Sequence, residues 1–139
     1  MLSGCDNACG STLEDDECGE CGGTGPADNF TCDGFQPTSK SALQTAINAW
    51  ASDATSAEAT YGHISGWDVS LITDMSSLFT NFGSFNEPIG DWDVSNVTDM
   101  NKMFYTSDHS GIFNQDISGW DVSSVTDMNT MFKNNHVFN

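Results

Sequence analysis

The sequence predicts an α/β solenoid: stacked coils of short parallel strand plus short helix, with a helical cap on the N-terminal side. Two observations predict the coils. A twelve-residue phrase occurs three times, as WDVSLITDMSSL from Trp67 to Leu78, WDVSNVTDMNKM from Trp92 to Met103 and WDVSSVTDMNTM from Trp120 to Met131. Apolar companions recur with it: Ile64, Ile89 and Ile117 three residues before each Trp, then Phe79, Phe104 and Phe132 after each phrase. Phe85-Asn86, Phe113-Asn114 and Phe138-Asn139 end each unit. The Trp-to-Trp spacings of 25 and 28 define a period of about 25 with one insertion of three. Units of that length bury an apolar face only against their neighbours. A third observation, an amphipathic Ala-rich stretch ahead of the repeats, predicts the cap.

Each element has its own justification. In PTSKSALQTAINAWASDATSAEATY, residues 37–61, Pro37 stops what precedes it and Thr38 or Ser39 is placed to cap a helix. Leu43, Ala46, Ile47 and Trp50 then fall on one helical face. Ser52 or Asp53 starts a second short turn, with Ala57 and Tyr61 facing inward. Within a repeat, Trp67 and Val69 flank Asp68, which reads as a short alternating strand. Met75, Leu78 and Phe79 at i, i+3 and i+4 read as a short helix, with Thr73 or Asp74 as its cap. Met75, Met100, Met103, Met128 and Met131 read as adaptable core filler.

Three segments follow: 1–36, rich in Cys, Gly and Asp; 37–63, the helical cap; and 64–139, the repeats. The first shares no apolar pattern with the repeats and is expected to add little to their stability. Its cysteines, Cys5, Cys9, Cys18, Cys21 and Cys32, are spaced C-x3-C-x8-C-x2-C-x10-C. Such a segment has too few core formers to fold by burial. Disulfides in an oxidising exterior and zinc held by Cys pairs are the two readings. Five cysteines leave one over. Leu2-Ser3-Gly4-Cys5 has the form of a lipobox, in which Cys5 would carry a lipid anchor and leave four.

The chain of 139 residues carries 20 acidic residues against three lysines, a net charge of −17. That excludes a nucleic-acid footprint, which needs a basic stripe, and opposes docking on an anionic membrane. No apolar run reaches the length of a membrane span. No nucleophile–base pair or phosphate-cradling loop stands out, so no catalytic residue and no cofactor is expected.

Two aspartate columns are the candidate sites. Asp68, Asp93 and Asp121, with Ser70, Ser95 and Ser123, form an expected exposed binding face on the strands, stacked at about 4.8 Å. Carboxylates that close need local hydrogen bonds or a shared cation. Backbone bonding is the first reading and a weak calcium site at Asp68, Asp93 and Asp121 the alternative. Asp74, Asp99 and Asp127 read as helix caps. His63, His109 and His136 do not share a column and read as loop residues.

WDVSNVTDMNKMF and FNQDISGWDVS resemble the 25-residue repeats of bacterial surface proteins known from Mycoplasma lipoproteins, relatives of BspA-like leucine-rich-repeat proteins; the lead-in LQTAINAW also resembles the usual start of that family. The resemblance spans about Ser39 to Asn139. It implies a leucine-rich-repeat-like, secreted or surface-anchored chain engaged in adhesion, with a protein or glycan partner. DECGECGG, Asp16 to Gly23, is similar to the DECGVCGG units of secreted proteins from marine bacteria and algae. The expected function is a non-catalytic extracellular interaction module; the alternative is a structural spacer or surface-layer component. The last unit stops where earlier ones lead into another coil, so the array is expected to be part of a longer one or to have its end covered by a partner, and alone to self-associate end to end or fray.

Overall fold

The computed structural model describes residue 16, residues 18–19 and residues 25–139. Two short strands, β1 (Phe30–Thr31) and β2 (Gly34–Phe35), pair antiparallel as a hairpin. Two helices follow, α1 (Lys40–Ser52) and α2 (Ala54–Tyr61), then a single 3-10 turn at Ile64–Gly66.

Local chemistry sets the helix ends. Ser39 is extended and its hydroxyl accepts the Ala42 amide, which caps α1. Asp53 ends α1 in an extended conformation and caps α2, accepting the amides of Thr55 and Ser56. α1 buries Leu43, Ala46, Ile47 and Trp50. α2 buries Ala57 alone, while Tyr61 is half-buried.

The α/β solenoid expected from the period is corrected. Among the described residues the elements are two α-helices, one two-stranded antiparallel sheet and the 3-10 turn, and the repeats contain neither a parallel strand nor an α-helix. Turns build them, touching through isolated parallel bridges at Asp74–Asp99, Asp99–Asp127 and Gly111–Asn135.

The physical reason lies in where the amides go. At the expected strand, the Asp68 carboxylate takes the Ser70 amide and the Ile72 amide turns back to the Val69 carbonyl. The chain closes on itself before a ladder can extend. At the expected helix, alternate amides do different things. Those of Met75, Ser77, Phe79 and Asn81 cross to the carbonyls of Asp99, Asn101, Met103 and Tyr105 in the next unit. Those of Leu78, Thr80 and Phe82 close three-residue turns within the unit. The second unit repeats this toward the third, from Met100, Lys102, Phe104 and Thr106. A helix needs every amide to turn back and a strand needs none to do so. This alternation is neither. Its sharpest points sit in the left-handed region, at Ser77, Lys102 and Thr130 with φ of 59°, 56° and 55°.

The core is a set of columns. Phe79, Phe104 and Phe132 stack with centroids 5.2 and 5.3 Å apart, and Phe85, Phe113 and Phe138 stack alongside at 6.0 Å. Trp67, Trp92 and Trp120 are each buried. The Trp92 indole N–H donates to the Ile64 carbonyl and the Trp120 indole N–H to the Ile89 carbonyl, so each unit is pinned to the one before.

The end of the first segment packs against the repeats. Phe35 is buried, with its ring 5.2 Å from Trp67 and 4.8 Å from Tyr61. The Asp68 amide donates to the Phe35 carbonyl. The expectation that this segment adds little to repeat stability overlooked Phe30 and Phe35, which fall at its very end. Cys18 and Cys32 form a disulfide beside the hairpin. Cys5, Cys9 and Cys21 lie outside the described residues.

Candidate functional site

Each repeat carries one Asp-x-Ser step, and the step is a local device. Asp68 Oδ1 accepts the Ser70 amide at 3.0 Å. Asp93 Oδ1 accepts the Ser95 amide at 3.1 Å and its hydroxyl at 2.6 Å. Asp121 Oδ1 accepts the Ser123 amide at 3.0 Å. Such carboxylate-to-amide closure two residues on is why Asp is favoured at a turn.

These bonds hold the carboxyls of Asp68, Asp93 and Asp121 below the usual carboxylate range. The Ser hydroxyl is the largest cause in each case, joined by the Ser amide. Desolvation opposes this at all three, and Asp93 also feels Asp68 and Asp121, which push it upward. The three aspartates are therefore electrostatic neighbours: an exposed acidic ridge with one oxygen of each committed to its own serine.

The second column is built alike. The amides of Ser76, Asn101 and Asn129 donate to Oδ1 of Asp74, Asp99 and Asp127. With no helix to cap, these residues close turns, which corrects their reading as helix caps. Asp74 also meets Lys40 at 2.9 Å, tying α1 to the first unit. Desolvation at Asp74 pushes its carboxyl up, but Ser76 and Lys40 together hold it below the usual range.

Two features were missed in the sequence. An open polar groove of about 450 Å³ runs along the lead-in to each Trp, lined by Ser65, Gly90, Asp91, Gln115, Asp116 and Ser118 among others. Ser65 and Ser118 hold the same place in their units, but the other lining residues are not common to all three, so the lead-in did not stand out as a site. The histidines hold the second surprise. His109 Nδ1 and His136 Nε2 are 3.0 Å apart with nearly parallel rings, so these two do share a column. Their separation of 27 differs from the 28 of Trp92 and Trp120, so spacing alone did not align them. His63 stands apart and accepts the Ser65 amide at the 3-10 turn. Among the described residues no group of three or more His, Cys, Asp or Glu side chains converges to hold a metal.

A stack of short units, linked by crossing amides and a shared aromatic core, with polar turns outside, defines a repeat protein. The chain belongs to the family described as "Mycoplasma protein of unknown function, DUF285", which matches residues 45–139. No curated protein and no solved structure matches it.

Proposed function

We propose that the protein is a non-catalytic interaction module of the cell exterior or cell surface, and that the ridge of Asp68, Asp93 and Asp121 with its serines meets a protein or glycan partner. The observation that carries this reading is the ridge itself. Three carboxylates stand one unit apart on turns fixed by their own hydrogen bonds; Asp93 and Asp121 each have one oxygen left for a ligand, while the second oxygen of Asp68 accepts from Gln36 Nε2. A partner offering basic groups or hydroxyls at that spacing loses little conformational freedom of the site on binding. The net charge of −17 would steer a basic partner toward it. The exterior location draws support from the Cys18–Cys32 disulfide, since such bonds persist in oxidising compartments. The likeness of the repeats to BspA-like and Mycoplasma surface proteins, and of DECGECGG to units of secreted proteins, points the same way.

A structural spacer is the second reading. It is favoured by the same bonds, because every ridge aspartate already has a structural duty. Beads coated with the protein, tested for adhesion to extracellular-matrix proteins and a glycan array, separate the two. Adhesion that drops at least tenfold in the triple variant Asp68→Asn, Asp93→Asn, Asp121→Asn, with unchanged circular dichroism, supports the module. Adhesion equal in both proteins, or none in either, supports the spacer.

A further inference from the structure

The second unit carries three extra residues, and they fall between two core rings. Phe79 and Phe85 are 6 residues apart, as are Phe132 and Phe138, whereas Phe104 and Phe113 are 9 apart. The surplus leaves the column as a loop around residues 107–111. The first unit holds one side of it. The Ser107 amide donates to Asn81 Oδ1, the Ile112 amide donates to the Gly83 carbonyl, and Ser110 sits against Gly83 where no Cβ would fit. The third unit holds the other side, through the Gly111–Asn135 bridge and the ring of His136 against that of His109. His109 stands at φ 62°, a left-handed conformation that a free loop seldom keeps.

The two rings meet head to head. Their planes are 10° apart, and the centroid separation of 5.2 Å is close to the 3.0 Å between His109 Nδ1 and His136 Nε2 plus one ring radius on each side. The two nitrogens therefore lie on the line between the rings, and that line runs in the plane of both. Each lone-pair direction points at the other nitrogen, which is the geometry of an N–H···N hydrogen bond. A metal ion does not fit between them, because bonds of about 2.0–2.1 Å on both sides need a longer gap. The bond has room for one hydrogen. With no added proton, one ring donates and the other accepts. One added proton leaves the bond in place and makes it charge-assisted. A second puts an N–H on both nitrogens, so two donors and two positive rings face each other across 3.0 Å.

Among the described residues, the other charges on the segments that pack here are Asp108 and Lys133. The Asp108 carboxylate takes the hydroxyl and amide of Ser110, which hold it below the usual carboxylate range, and a charged His109 adds a smaller pull. It favours the first proton on the pair and is one charge against two at the second. Lys133 lies with Nζ 6.0 Å over the Tyr105 ring and opposes added positive charge. The contacts from the first unit, Asn81 and Gly83, carry no charge. We propose that the His109–His136 bond is an acid-operated latch: it fastens the inserted loop to the third unit while the pair holds at most one added proton, and releases the loop when both rings are charged. Histidines change charge between about pH 8 and about pH 5, so the loop is closed at neutral pH and open in acid. The stack stays assembled, since its aromatic columns and crossing amides involve no histidine.

Amide hydrogen exchange of the 139-residue protein, followed by NMR at about pH 8 and about pH 5, tests the latch. Protection factors, corrected for the intrinsic exchange at each pH, should fall about tenfold or more in acid at Ser107 and Ile112, the amides that anchor the loop. Those of Trp92 and Phe104, in the stack, should hold. The variant His136→Gln, a change at an exposed position, offers His109 both a donor and an acceptor but takes up no proton. It should keep the loop closed at both pH values. Equal protection of Ser107 and Ile112 at the two pH values in the wild type overturns the proposal. So does a fall that His136→Gln shares, which would assign the acid response to another group. A fall that extends to Trp92 and Phe104 overturns it as well, since the whole stack would then be loosening.

Discussion

Replacing Trp92 by Ala tests the stacked core most directly. Its ring is 3 % exposed, with centroids 6.5 Å from Trp67 and 6.1 Å from Phe79, and a unit lies on either side. Removing a buried aromatic ring typically costs about 3–5 kcal/mol. The lost indole hydrogen bond adds about 0.5–1.5 kcal/mol, toward the low end because the Ile64 carbonyl keeps the Trp67 amide. Trp120 is buried to 8 % exposure with a unit on one side only, so Trp120→Ala should cost less. Trp92→Phe keeps one ring in the stack and loses the bond and the second ring, about 1–3 kcal/mol. Urea denaturation followed by circular dichroism should rank the losses Trp92→Ala, Trp120→Ala, Trp92→Phe. With roughly 2–8 °C of melting temperature per kcal/mol, the first should melt about 10 °C or more below the wild type. A Trp92→Ala protein within about 1 kcal/mol of the wild type, or one hurt less than Trp120→Ala, would refute the stacked-core reasoning.

Three further outcomes are expected. Phe35→Ala, or a chain starting at Pro37, should lower the melting temperature, by an amount comparable to other buried Phe losses of about 3–5 kcal/mol; an unchanged melt would show that the hairpin does not dock on Trp67. Gly90→Ala should cost about 1–3 kcal/mol by overpacking, since its Cβ would sit 2.3 Å from the Asp116 carbonyl, while Gly66→Ala, with open space around it, should be neutral in the same thermal melts. Stability should fall in acid. The folded carboxyls of Asp68, Asp93 and Asp121 lie below their ordinary values, so their contribution is complete above the unfolded value near 3.9 and is lost as pH falls through the folded ones. Asp93→Asn should flatten that limb of the urea midpoint against pH; an unaltered acid limb would remove Asp93 from it.

The repeat, its period and its apolar columns were determined by the sequence alone. Tryptophan, phenylalanine and isoleucine at fixed offsets have to share one interior whatever the backbone does between them. The helix over residues 40–52 was legible for a similar reason: its cap and its buried face are both local patterns. The Asp-x-Ser steps were legible as candidate sites, and their geometry is local as well.

Tertiary structure decided the rest. Met75, Leu78 and Phe79 have helical spacing, and Trp67 and Val69 have strand spacing, yet neither element forms. The deciding quantity is the partner of each amide, and half of those partners lie 24 to 28 residues away. Turns closed at i+3 reproduce the apolar spacing of a helix, so periodicity could not separate the two. The packing of Phe35 on Trp67 and the pairing of His109 with His136 were hidden in the same way. Each joins residues far apart in the sequence whose relation is set by tertiary packing, and no local pattern records that.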